Sequence, residues 1–173
     1  MKTDIPQTVY LKDYTPPAFL VDTVDLDFVI ETGSTTVTAT LAVRRNPAVA
    51  AQPLVLDGDE LETLSVAVDG QKWPFSETPT QLTLSDLPGA FTLTTEVRIQ
   101  PDSNTRLSGL YRSKDGYFTQ CEAQGFRRIT WFLDRPDVMS TYTVTLHADK
   151  EKLPVLLANG NPVAAGDEAD GRH

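Results

Sequence analysis

One cysteine, Cys121, and two histidines, His147 and His173, are all this chain has of the residues most used for metal binding and nucleophilic chemistry. A single thiol allows no intrachain disulfide, which suits a reducing compartment. The pattern His-Glu-x-x-His is absent, as is any paired-cysteine motif, and a zinc site needs three or four clustered ligands. No metal bound by this chain alone is expected. No window approaches the run of about 18 apolar residues that a membrane helix requires. The first residues, Met1-Lys2-Thr3-Asp4-Ile5-Pro6, carry no apolar stretch of the kind a secretory signal needs. A cytoplasmic location is the resulting expectation. Basic residues are outnumbered, with 15 Lys plus Arg against 24 Asp plus Glu and a net charge of −9. Such a chain has no electrostatic reason to bind nucleic acid or an anionic membrane. A Gly-rich phosphate loop, an internal repeat and a low-complexity block are all missing.

What is present reads as strand. The 173 residues, 40% of them hydrophobic and 23% charged, suffice for one domain with a sizeable core. Residues 1–17 are polar and proline-bearing, and Pro16-Pro17 disfavours helix, so an extended arm is expected there. From Phe19 the chain alternates. Leu20, Asp22, Val24, Leu26, Phe28 and Ile30 form one nearly all-apolar set, the pattern of a half-buried strand. A turn at Glu31-Thr32-Gly33-Ser34 leads to a second alternating run, Thr35 to Arg45, with Val37, Ala39, Leu41 and Val43 on one face. Further strands are expected at Pro53–Leu56, at Glu60–Val68 with Leu64, Val66 and Val68 in register, at Gln81–Leu84 and at Phe91–Ile99. Others follow at Leu107–Ser113, Ser140–Ala148 and Pro154–Ala158. Asp69-Gly70 is a hairpin turn signal. The best helix candidate, Arg127 to Trp131, is a turn or two at most. About ten strands spaced roughly 8–12 residues apart indicate an all-β sandwich or curved double sheet. One β-sandwich domain over 18–173 is the expected organisation.

The densest group of polar, aromatic and turn-forming residues runs from Thr119 to Asp137, between strand-like segments. Loops held by a rigid sheet are where binding residues concentrate. Cys121 and His147 would make a thiol–imidazole pair only if the fold brought them together. A lone cysteine beside a turn is more often inert. Glu122, Asp134 and Asp137 offer the two acids a glycosidase uses. Asp134-Arg135-Pro136-Asp137 reads more simply as a turn whose arginine is held by an acidic neighbour. Glu122 reads, on composition alone, as a solvated loop glutamate or a partner of Arg127 or Arg128.

These residues also carry a resemblance. Gly109-Leu110-Tyr111, then Thr119-Gln120-Cys121-Glu122-Ala123 with Gly125-Phe126-Arg127, then Leu133-Asp134-Arg135-Pro136-Asp137-Val138, resemble the N-terminal domain of bacterial aminopeptidase N. That family comprises zinc-dependent alanyl aminopeptidases of the gluzincin type. The likeness runs from about Tyr14 through Asn159-Gly160-Asn161 to Gly171-Arg172-His173. It implies a saddle-like β domain whose Glu122 binds the α-ammonium of a peptide N-terminus. It also implies that Gln120 lines the pocket for the first side chain and that the Glu122–Ala123 peptide is cis. Zinc and the catalytic motifs would lie in a catalytic domain that packs on this one, and this chain by itself would be inactive. The competing reading is a stand-alone β-sandwich binding or scaffold module.

Overall fold

The computed structural model describes residue 8 and residues 10–173. Much of the arm expected over 1–17 therefore lies outside the described residues. Among the described residues, eleven strands form three sheets. The largest sheet contains β1 (Phe19–Ile30), β2 (Thr35–Arg45), β4 (Glu62–Val68), β5 (Gln71–Lys72), β8 (Ala90–Ile99) and β11 (Thr141–Ala148), in the order β11-β1-β2-β8-β4-β5. A second sheet is built from β3 (Leu54–Asp57), β6 (Ser76–Glu77) and β7 (Gln81–Leu84), in the order β3-β7-β6. The third is the hairpin of β9 (Gly109–Ser113) and β10 (Gly116–Gln120). All pairings are antiparallel except one: β11 lies parallel to β1, with Thr23 beside Thr141 and Ile30 beside Ala148.

The alternation explains the layering. On β2, Val37, Ala39, Leu41 and Val43 point inward, as the sequence predicts. On β8 the inward set is Phe91, Leu93, Thr95, Val97 and Ile99. The outward set on these strands is mostly threonine and charge. Leu54 and Leu56 of β3 and Leu82 and Leu84 of β7 close over the inner face. Ile129, Trp131 and Phe132 from the central loop complete the same core. The result is a two-layered all-β fold.

Two strands break strict period two. A register shift between Val21 and Thr23 on β1 turns Phe19 and Val21 inward, and Leu20 and Asp22 away from full burial. The expected set therefore holds only from Val24 onward. A second shift, between Thr63 and Ser65 on β4, leaves Leu64 38% exposed. A bulge adds one residue to one strand and reverses the facing of everything before it. The expected strand Pro154–Ala158 does not form. Pro154 brings no N–H to a ladder, and Val155 and Leu157 stay in solvent while Leu153 and Leu156 pack on the core. The helical stretch expected near Arg127 is a single 3₁₀ turn, Phe126–Arg128.

Before β1, Tyr14 donates its hydroxyl to Asp137 at 3.0 Å. Arg135 grips both oxygens of Asp137 at 2.8 and 2.7 Å and donates to the Thr15 carbonyl at 2.7 Å. The turn reading of 134–137 holds, and the same turn fastens the segment leading into the sheet.

Candidate functional site

β10 delivers Gln120 to the start of the central loop. The Gly125 N–H closes the loop back on the Cys121 carbonyl at 2.7 Å. Between them the Glu122–Ala123 peptide bond is cis, as the resemblance implies. Gly125 is required sterically, because a Cβ there would sit 2.6 Å from the Gln120 carbonyl oxygen and 2.9 Å from Cys121 Cα. The 3₁₀ turn follows at once, and Phe126 packs edge-on against Phe132 and Tyr142 at 4.9 and 6.0 Å between ring centres.

Below the loop the anchoring is dense. Phe132 and Asp57 exchange backbone hydrogen bonds of 2.8 and 3.1 Å, tying the loop to β3. Trp131, 1% exposed, lies on Gly58 and donates its indole N–H to the Thr63 hydroxyl at 2.8 Å. The loop therefore presents Gln120 and Glu122 from a fixed base, both exposed to solvent. The only side-chain contact between the two positions is Gln120 Nε2 donating to the Glu122 carbonyl at 3.4 Å. An open trough of about 1190 Å³ runs alongside, bordered by Gln120, Cys121, Glu122, Phe126, Tyr142 and Leu146.

Charge is apportioned unevenly around this loop. Arg127 donates through Nε to Asp134 Oδ2 at 2.8 Å and through its backbone N–H to the same oxygen at 3.2 Å. Its Nη2 reaches the Asp134 carbonyl at 3.1 Å and lies 3.7 Å from Asp57 Oδ2. Arg128 is held by Asp59 and Glu60, each at 2.5 Å. The sequence-based alternative that pairs Glu122 with Arg127 or Arg128 is thus overturned, because both guanidinium groups already face other acids. Glu122 has no ion-pair partner among the described residues. Besides Asp134, the acids that face these arginines are Asp57, Asp59 and Glu60, to which the sequence assigns no partner. Their signal was a cluster of acids at 57–60, matched by the basic pair 127–128 far along the chain.

The other candidate chemistries dissolve. His147 sits on β11 with Nδ1 against Glu168 and Nε2 3.2 Å from Asp27, so neither nitrogen serves Cys121. Burial, then the nearby Asp134 and Glu122 carboxylates, push the Cys121 thiol up, which keeps it protonated and unreactive. The bidentate contact with Arg135 holds the Asp137 carboxyl below its ordinary value, the opposite of what a glycosidase acid requires. Asp134 is committed to Arg127. No three His, Cys, Asp or Glu side chains among the described residues are grouped to hold a metal ion. The described residues therefore do not fit a zinc ion, whose ligands must be clustered. No helix among them is long and apolar enough to cross a membrane.

Comparison with known proteins finds clear relatives. Aminopeptidase N of Caulobacter vibrioides is 49% identical over 176 residues, covering 100% of this chain and 20% of the relative. Aminopeptidase N of Escherichia coli is 44% identical, covering 99% of this chain and 20% of its own length. The chain thus spans about a fifth of these relatives. Among solved structures, Legionella pneumophila aminopeptidase A in complex with aspartic acid superposes with a TM-score of 0.88 at 29% identity, over 94% of this chain and 20% of that one. An M1 zinc metallopeptidase from Deinococcus radiodurans, at 20% identity and a TM-score of 0.62 over 75% of this chain, shares the fold. The sequence pattern of the Peptidase M1 N-terminal domain matches residues 20–173, nearly the whole of the sheet and the loop it carries. The chain belongs to the Peptidase M1 N-terminal domain family.

Proposed function

We propose that this chain is the substrate-anchoring domain of a zinc aminopeptidase that removes N-terminal residues from peptides. Glu122 accepts hydrogen bonds from the α-ammonium of the substrate, and Gln120 borders the space for the first side chain. The remainder of the protein supplies the zinc and the bond-breaking groups and packs on this domain; the whole works in the cytoplasm. One observation carries the reading: Glu122, on a rigidly pinned loop at the edge of a trough, has no ion-pair partner among the described residues, while the arginines that follow it are bound to other acids. An unpaired carboxylate presented in this way suits a cationic terminus. A hydrogen bond to a charged group contributes about 1.5–3 kcal/mol, and a peptide with a blocked terminus forfeits it. The amino-acid ligand of the Legionella relative is in keeping with such a site.

The test is Glu122→Gln in the full-length protein, assayed with an alanyl anilide. The change keeps the shape and removes the charge. A fall in kcat/KM of about 10–150-fold is expected, being 1.5–3 kcal/mol at about 1.4 kcal/mol per tenfold. A kcat/KM within twofold of the parent would sink the anchoring role and favour a domain that serves only as scaffold.

A further inference from the structure

The loop that carries Glu122 is rich in positive charge, and that charge is kept from it. Arg127, Arg128 and Arg135 follow Glu122 closely in the chain. Arg128 is 8% exposed and spans Asp59 and Glu60. Arg135 is closed bidentately on Asp137. Arg127 is the least constrained of the three by partners on other elements. Its remote partner, Asp57, lies at 3.7 Å, too long for a hydrogen bond. Its close partner is Asp134, which takes both its Nε and its backbone N–H and is itself 8% exposed. Asp134 is oriented in turn, since its N–H donates to Asp57 Oδ2 at 3.3 Å.

We infer that Asp134 is a positioning residue: it holds Arg127 against β3 and so keeps that guanidinium off Glu122, leaving Glu122 free for a cationic substrate terminus. The inference rests on the anchoring role proposed for Glu122. The physical point is competition. A guanidinium tethered a few residues away acts at an effective concentration on the order of millimolar. Peptidase substrates are met at roughly 1 μM to 1 mM. Without the Asp134 carboxylate, Arg127 keeps only its 3.1 Å bond to the Asp134 carbonyl and the 3.7 Å approach to Asp57, and Glu122 becomes a competing acid for it at that effective concentration. A bidentate Arg–carboxylate pair is the geometry such a rival would adopt. Asp134 prevents this by offering Arg127 a nearer carboxylate, already in place and largely shielded from solvent.

Steady-state kinetics of the full-length protein with an alanyl anilide tests this, using Glu122→Gln, Asp134→Asn, Arg127→Gln and the double variant Arg127→Gln/Asp134→Asn. Asp134→Asn is expected to raise KM about five- to tenfold with kcat within twofold. The double variant should return KM to within about twofold of the parent, because the rival cation is gone. A merely structural Asp134 gives the opposite result, with the double variant at least as impaired as the single one. That outcome overturns the inference, as does an unchanged KM for Asp134→Asn. If Asp134→Asn does not fold, as judged by its thermal melt, the double variant decides alone: a parental KM supports the competition and a raised one refutes it. Glu122→Gln separates the two ideas. An unchanged kcat/KM for that variant removes the anchoring role itself, whereas a large fall without rescue in the double variant removes only the part given to Asp134.

Discussion

Replacing Gly58 with alanine should cost far more than one methyl group suggests. Gly58 is not in the left-handed backbone region, so alanine meets no conformational penalty there. The obstacle is Trp131. A Cβ at position 58 would lie 2.1, 2.4 and 2.6 Å from three atoms of the six-membered ring. Carbon atoms settle at about 3.5–4.0 Å, so something must move by more than an ångström. The ring is 1% exposed and is held by its 2.8 Å bond to Thr63. The backbone beside it is held by the Asp57–Phe132 bridge. Overpacking of this kind costs about 1–3 kcal/mol, and loss of the indole hydrogen bond adds about 0.5–1.5 kcal/mol. A total of about 1.5–4.5 kcal/mol follows. With a urea slope of about 2 kcal/mol per molar, the unfolding midpoint of the chain should fall by about 0.8–2.2 M. In a Trp131→Ala background the same substitution should cost under about 1 kcal/mol, since the clash has gone. Equal costs in the two backgrounds would refute the steric argument, and so would an unchanged midpoint.

The clasp between β11 and the segment near residue 168 should weaken as pH rises. Contacts with Glu168 first, and then with Asp27, raise the His147 value above its ordinary one, with Arg172 the basic neighbour 3.4 Å from Glu168. A raised value means that the contribution is complete below about pH 6.5 and is lost as pH climbs through the higher folded value. Amide exchange at Ala148 and His173, which bond to each other's carbonyls, should show protection, corrected for intrinsic rates, falling across that window. Persistence of the same decline in His147→Gln would rule His147 out as its source. Arg135→Ala should release the segment around Tyr14, so trypsin should cut after Lys12 several-fold faster than in the parent. An unchanged cleavage rate would mean that the contacts to Thr15 and Tyr14 do not hold this segment.

Strands whose period is unbroken were legible in the sequence. On β2 and β8 the apolar positions alone specify which side faces in. Legibility failed where a single extra residue intervened. Nothing in Leu20-Val21-Asp22-Thr23 announces a bulge, because the bulge is a property of pairing with β2 rather than of β1 itself. The same holds at Leu64. Pro154–Ala158 has the apolar composition of a strand but no neighbour to pair with, and composition carries no information about neighbours. At the site, the turn that encloses Arg135 and Asp137 was visible because its partners are two residues apart. Arg128 with Asp59 and Glu60 was not, because close to seventy positions separate them. The isolation of Glu122 follows from those remote pairings together with the local hold of Asp134 on Arg127. It could be suspected from family likeness, but not worked out from the loop alone.

The parallel edge pairing sets a schedule for synthesis. One flank of β1 is satisfied early, by the hairpin with β2. The other flank waits for β11, which leaves the ribosome roughly 120 residues later, about 6–24 s at about 5–20 residues per second. Through that interval β1 offers an open row of N–H and C=O groups to any passing strand. Its outward side chains there, Asp25 and Asp27, are charged, so the row that waits longest for its partner is also the one that repels other copies of itself.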